Sequence, residues 1–547
     1  MAADEFDYVV VGAGSAGCIV AARLSEDREA TVCLLEAGPP DRSPYLHVPG
    51  GFIKNKDDPN VTWRFSSEPG PGTAGRRIST PQGRTLGGSS AINGLVYNRG
   101  QPMDYDAWAQ RGNRGWSHAE VTPYFRRCEG RVGPGDDRVR GRDGPLRVTD
   151  IDWRHPLCDA FVAGVEGLGI PRNPDHNAGD QAGVGYYQRT IHRARRVSSA
   201  VAFLHPARAR GQPIEVRTHA HATAVVLDGR RAVGVRYRHG GPGGSARVVR
   251  ARREVILCGG TVNSARLLQL SGIGPAPRLR ALGIEVVQDL PGVGENFHDH
   301  YAIRMVARAR GVTTINDLAR GPRLAREVAA WALRRPSILG LSPSLAHVFW
   351  KSDDALDLPD LQFTFTPASY KEGVVGRLDD FPGMTCGVWQ HRPESRGHVR
   401  LRSADPFEHP EIQPNYLATE TDRRVLVAGI RLARRFLGTP ELAPYFAGEV
   451  VPGPDARSDD ELLDFAFRRG STVFHLVGTC RMGPDGDPMA VVDPELRVRG
   501  IERLRVVDAS VMPALTSGNT NAPTMMIAEK AADMIRGRPP LPPLETP

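Results

Sequence analysis

Tyr8-Val9-Val10-Val11-Gly12-Ala13-Gly14-Ser15-Ala16-Gly17 runs from an apolar strand into a glycine turn. Residues 6–11 are nearly all apolar, the pattern of a strand buried on both faces. Gly12-x-Gly14-x-x-Gly17 closes the strand, and Cys18 to Leu24 has the composition of a helix. A second apolar run, Thr31 to Leu35, ends in Glu36. Strand, glycine turn, helix, strand and terminal acid together predict a Rossmann-like α/β domain that holds a dinucleotide. The first two glycines let the backbone turn tightly and approach a pyrophosphate, and the third lets helix and strand pack closely. The phosphates then face free N–H groups at a helix N-terminus, and an acid at Glu36 accepts from ribose hydroxyls. Gly12, Gly14, Ser15, Ala16, Gly17, Glu36 and Ala37 are therefore the expected contacts. The motif alone does not separate a flavin from a nicotinamide dinucleotide.

A second glycine-rich stretch spans Gly83 to Gly94 and contains Gly87-Gly88-Ser89-Ser90. Small residues in a row let backbone lie flat against a large planar ligand. The apolar Leu95-Val96-Tyr97 that follows predicts that this loop is buried. Near the other end lie Phe474-His475, Asp508-Ala509-Ser510 and Ser517-Gly518-Asn519-Thr520-Asn521. A histidine and an asparagine there offer proton chemistry near neutral pH. Met525 to Ile535 reads as a last helix with Ile527, Ala531, Met534 and Ile535 on one face. Pro523 fits an early helical position, with Thr520 and Asn521 at the mouth. A single site must then be assembled from both ends of the chain.

The chain has 547 residues, 40% hydrophobic and 24% charged, with 60 Gly and 45 Pro. That length exceeds one compact core and predicts two domains. The net charge is +8, but only five of the 70 basic residues are lysine. The excess is arginine spread along the chain, which argues for a solvated surface and against nucleic acid. The densest run, Arg193 to Arg196, is read the same way. Seven cysteines without a CxxC pair read as reduced thiols, buried at Cys18, Cys33 and Cys258. The first strand begins within six residues, leaving no room for a leader, and no apolar run reaches membrane-span length. A cytoplasmic protein is expected. His298-Asp299-His300 lacks a further ligand nearby, so it reads as structural, and no metal is expected.

Arg84-x-x-Gly87-Gly88-Ser89-Ser90-x-x-Asn93-Gly94 resembles the first signature of the glucose–methanol–choline oxidoreductases. Gly259-Gly260-Thr261-Val262-Asn263-Ser264-Ala265-Arg266-Leu267-Leu268-Gln269-Leu270-Ser271-Gly272-Ile273-Gly274 resembles the second. Pro291 to Asn296, Arg396 to Leu401 and the two C-terminal patches follow in the family's order. The likeness runs from about residue 6 to 536.

The resemblance implies FAD and an interleaved architecture. An FAD-binding domain would come from 1–150, 205–300 and 470–540. A mixed-sheet (α+β) substrate-binding domain would come from 151–204 and 301–469. It implies further FAD contacts at Arg84, Gly87, Ser89, Asn93, Gly94, Leu95, Val96, Ala222, Asp508, Ala509, Thr520 and Asn521. It makes His475 the general base and Asn519 the residue that holds the substrate oxygen. The implied reaction is oxidation of a primary alcohol to the aldehyde, with hydride transfer to flavin N5 and oxygen or a quinone as final acceptor. Phe474 is the best-placed pocket wall and favours an apolar or aromatic alcohol. His347, Phe349, Trp350, Phe363 and Phe365 are further wall candidates, against core packing. No carboxylate can be placed to hold choline's ammonium. Ile92, where some relatives carry a flavin-linking histidine, predicts noncovalent FAD. Residues 311–345, rich in Arg and Leu, are a candidate helical lid over the entrance, which the sequence alone does not decide. The second reading is a non-redox lyase on the same scaffold.

Overall fold

In the computed structural model, which describes residues 4–371 and 377–544, two seven-stranded sheets face one another across a cavity. The first sheet has a parallel core in the order Ile214–Arg217, Val32–Leu35, Glu5–Val11, Ser245–Leu257 and Leu504–Val506. The predicted strands at both ends of the chain thus flank the same strand, Ser245–Leu257. Ser245–Leu257 serves two surroundings. Its exposed first half alternates and pairs antiparallel with Arg231–His239, which pairs with Ala220–Asp228. Its last three residues, Val255 to Leu257, are fully buried and run parallel to Glu5–Val11. The apolar run belongs where both faces are covered, and the alternating run where one is.

Helix Gly17–Leu24 leaves the glycine turn and packs against the C-terminal helix Asn521–Ile535. Arg23 Nη2 lies 2.8 Å from the buried carboxylate of Glu529, and Arg127 Nε lies 2.7 Å from it. Ser15 Oγ donates to Asn521 Oδ1 at 2.8 Å. These bonds fasten the last helix to the first and to the helix His118–Cys128, which carries Arg127.

The second sheet is antiparallel, in the order Phe446–Val451, Tyr301–Ala309, Gly383–Gln390, Leu361–Thr366, Ala346–Trp350 and Gly183–Tyr186. Ser471–Thr472 adds to the start of Tyr301–Ala309. Helix Glu420–Leu437 packs behind it, joined by Pro156–Gly167 and Asp459–Arg469. Phe161 stacks on Phe365 at 4.2 Å, and Phe363 meets Phe436 at 4.9 Å. His347, Phe349, Phe363 and Phe365 are fully buried, none lines the cavity, and Trp350 lies outside it too. The aromatic wall expected from these strands is therefore the core behind the sheet. The opposite face of the same strands meets the cavity.

Residues 311–345 are helical at Ile315–Leu318 and Gly321–Ala332. Gly321–Ala332 buries none of its residues and is tied down by Trp331 Nε1 donating to the Ala194 carbonyl at 2.7 Å. Of this segment only Pro343 and Ser344 reach the cavity wall, so the helices do not form the candidate lid. All seven cysteines are free and buried.

Candidate functional site

The two glycine motifs meet at the cavity floor. Gly12 has φ +100°, and a Cβ there would lie 2.5 Å from the Cys258 carbonyl oxygen. Gly88 has φ +51°, and its Cβ would lie 2.6 Å from Gly14 Cα. Two backbones can touch this closely only without side chains. Glu36 closes the nucleotide end, accepting from Ala13 N–H at 2.9 Å and Gly38 N–H at 2.8 Å. Burial pushes its carboxyl up to about 7 against those bonds. Asp508 accepts from Gly260 N–H, the Ser264 hydroxyl and Ser510 N–H. It pins the second glycine motif beside the first.

All but three of the expected nucleotide contacts line this cavity. Gly17 does not, because it is the packing glycine: its Cβ would overlap the Gly12 carbonyl oxygen at 1.8 Å. Gly87 does not either; it turns the chain with φ +89° and packs on Ser198. Arg84 lies behind the wall, its guanidinium 5.0 Å from the Trp63 ring that lines the cavity. Arg196 departs from the solvated surface expected of its run. It is buried and donates to Asn93 Oδ1 at 2.7 Å, fixing a predicted contact. Trp63, His221 and Arg266 also line the nucleotide end; Arg266 stands within the second signature, and no local pattern announced the other two.

Phe474, His475 and Asn519 stand together at the far end of the cavity. Phe474 has φ +66°, a left-handed conformation that breaks strand alternation. Val473, Phe474 and His475 consequently all reach the cavity wall. The His475 N–H donates to Asp299 at 2.8 Å. Asp299 also accepts from the Thr472 and Tyr416 hydroxyls, each at 2.5 Å.

The hydrogen-bond chain through the imidazoles sets their tautomers. His300 Nε2 contacts the His391 carbonyl at 2.7 Å, and a carbonyl only accepts, so Nε2 carries the proton. Burial pushes His300 down to about 4, which keeps it neutral. Its Nδ1 is then an acceptor, 2.8 Å from His475 Nδ1, which must donate. That leaves His475 Nε2 with a lone pair, 3.0 Å from Asn519 Nδ2. Burial, helped by His300, holds His475 well below the ordinary histidine value. The arrangement is a neutral base and an amide donor side by side in a cavity. His300 was read from sequence as structural. Its 175-residue separation from His475 left no local signal of this contact. Among the described residues no cluster is suited to a metal ion, and no helix is long and apolar enough to cross a membrane.

The GMC oxidoreductase family matches residues 6–302 with its N-terminal part and 393–528 with its C-terminal part. This chain belongs to the GMC oxidoreductase family. Among the relatives of this GMC chain, human mitochondrial choline dehydrogenase is 42% identical, over 98% of this chain and 91% of that protein. An alcohol dehydrogenase [acceptor] of Pseudomonas putida is also 42% identical, over 97% of this chain and 95% of its own length. An Aspergillus oryzae formate oxidase, studied for FAD modification in an R554K variant, superposes with a TM-score of 0.90 at 26% identity, covering 98% of each chain. As a GMC oxidoreductase this protein is an FAD enzyme acting on CH–OH donors. The names of these relatives lend the lyase reading no support. The cavity fits FAD on structural grounds too: two side-chain-free backbone segments, helix N-termini and a buried acid line one continuous space.

Proposed function

We propose that this protein oxidises a primary alcohol to its aldehyde, with His475 as base and Asn519 as the holder of the substrate oxygen. The observation that carries the reading is the pair of His475 Nε2 and Asn519 Nδ2, 3.0 Å apart in the cavity. An alcohol oxygen set beside the pair, within reach of both, accepts from the Asn519 amide and takes that amide's place at the Nε2 lone pair, to which its own proton passes. The His300 carbonyl-anchored ring holds that lone pair toward the substrate. Bound FAD supplies the hydride acceptor at N5. Gly12, Gly14, Ser15, Ala16, Glu36, Ala37, Ser89, Asn93, Gly94, Leu95, Val96, Ala222, Asp508, Ala509, Thr520 and Asn521 would hold it.

Phe474 lines the cavity, and the Trp389 ring centroid is 6.1 Å from that of His475. These walls favour an apolar or aromatic carbon frame next to the hydroxyl. Ile92 lines the cavity with no nucleophile, which supports noncovalent FAD. Mild acid should release free FAD, and flavin that stays with the denatured chain overturns that point. The main test is anaerobic addition of an alcohol panel, read as loss of the flavin absorbance band. Oxygen or a quinone is then added to see which restores it. Absence of bleaching by every alcohol refutes the proposal.

A further inference from the structure

The strand Tyr301–Ala309 presents Ala302 and Arg304 to the cavity. Strand pairing sorts the wall into rows. Ala302, Trp389 and Gln362 form one; Arg304, Gly387 and Thr364 form the next. The first row lies against the proposed base, with Gln362 Nε2 donating to Asn519 Oδ1 at 3.5 Å. Same-face residues on a strand are about 7 Å apart. Arg304 is therefore one step beyond the place where the hydroxyl is held. Gly387 puts no side chain between Arg304 and Thr364 in that row.

Beyond its strand pairing with Gly387, the Arg304 side chain forms no hydrogen bond or ion pair with any described residue. Its titratable neighbour is the Tyr370 phenol, which also lines the cavity and whose hydroxyl has no hydrogen-bond partner among the described residues. Burial lowers the arginine's pKa and raises the tyrosine's to about 12. Arg304 is half-buried and faces the cavity, where a partly desolvated guanidinium without an anion is costly and an anion offsets that cost. The only carboxylates on the cavity wall among the described residues are Glu36 and Asp508. Both sit at the nucleotide end, engaged by backbone N–H groups. Among the described residues, the substrate wall therefore carries the Arg304 cation without an ion-pair partner and no carboxylate.

We propose that Arg304 and Tyr370 form an anion subsite, and that the alcohol oxidised here carries a carboxylate a few bonds from its hydroxymethyl group. The planar fork of the guanidinium matches a carboxylate in two parallel hydrogen bonds, with the phenol as a third donor. The inference rests on the alcohol-oxidation reading above. It excludes choline, whose ammonium would meet the guanidinium.

The test pairs 4-(hydroxymethyl)benzoate and a series of ω-hydroxycarboxylates with their methyl esters, in anaerobic flavin reduction by the holoenzyme. At least one acid should exceed its ester about tenfold in efficiency. Arg304→Met should remove that advantage, lowering the acid about 100-fold and the ester by no more than about threefold. Arg304→Lys should restore part of it, and Tyr370→Phe should weaken the acid alone. Benzoate should perturb the flavin spectrum of wild type, with an affinity that falls in Arg304→Met. FAD content and melting temperature of each variant establish that it is folded. Equal use of acids and esters, faster reduction by choline, or equal loss of both substrates in Arg304→Met overturns the subsite. Reduction by no alcohol, charged or neutral, overturns the oxidation reading itself.

Discussion

His475 can act as a base only while its Nε2 is unprotonated and aimed at the substrate, and both conditions trace to neighbouring atoms. The His391 carbonyl fixes His300, and His300 fixes His475. Replacing His475 with alanine should slow flavin reduction by roughly 10²–10⁴-fold while FAD stays bound; near-normal reduction in stopped-flow would remove it from the mechanism. His300→Phe takes away the acceptor for the His475 Nδ1 proton. Reduction should fall at least about tenfold through loss of ring orientation. The pH profile should discriminate this from a general loss of structure. In wild type His475 is held well below 6.5 by burial, so it protonates only in acid. The log of kcat/KM, which reports the free enzyme, should stay level from neutral pH down past 6.5 before falling. A descending limb centred above pH 7 contradicts the assignment. In His300→Phe the profile should change shape as well as height.

The two glycine loops are legible in the sequence because their chemistry is local. A turn needing φ above zero and a backbone contact both demand glycine at fixed spacing, whatever lies elsewhere. Gly12→Ala must place a methyl 2.5 Å from the Cys258 carbonyl at φ +100°, and Gly88→Ala must place one 2.6 Å from Gly14 Cα. Each should lower the melting temperature and leave purified protein with less than one FAD per chain. Gly243→Ala, with nothing within 4 Å of the added methyl, is the control and should change neither. Full flavin occupancy in both loop variants would show that the cradle is not where FAD binds. The substrate sheet was far less legible. In Leu361–Thr366 both faces are buried. Alternation of aromatic and polar residues shows that the faces differ. It does not show that Gln362, Thr364 and Thr366 line a cavity while Phe363 and Phe365 pack behind. Arg304 escaped notice for the same reason: one arginine among many in sequence, it stands out only once its strand neighbours are known.

On the scale of the whole molecule, the chain closes on itself. Its first helix reaches Glu529 of the last helix through Arg23, the helix His118–Cys128 reaches the same carboxylate through Arg127, and the site needs residues from both ends. This closure buries titratable groups, and their balance sets how the fold responds to acid. Eleven of the sixteen histidines are shifted below the ordinary value, every one chiefly by burial. His118, His221 and His300 are each pushed to about 4. Below pH 6.5 the unfolded chain takes up protons at these rings while the folded one does not, so stability falls as pH falls. By pH 5 the loss is about 2 kcal/mol for each of the three. Glu36, raised to about 7, and Asp299, raised to about 6, act oppositely. They bind protons in the folded state first, and so gain stability on acidification through their folded values. The histidines outnumber them, so the net slope should follow the histidines. Melting of the holoenzyme, followed by flavin fluorescence, should shift down by at least a few degrees between pH 7 and pH 5. A melting temperature that holds level or rises over that interval would mean that the buried carboxyls, not the imidazoles, govern the acid response.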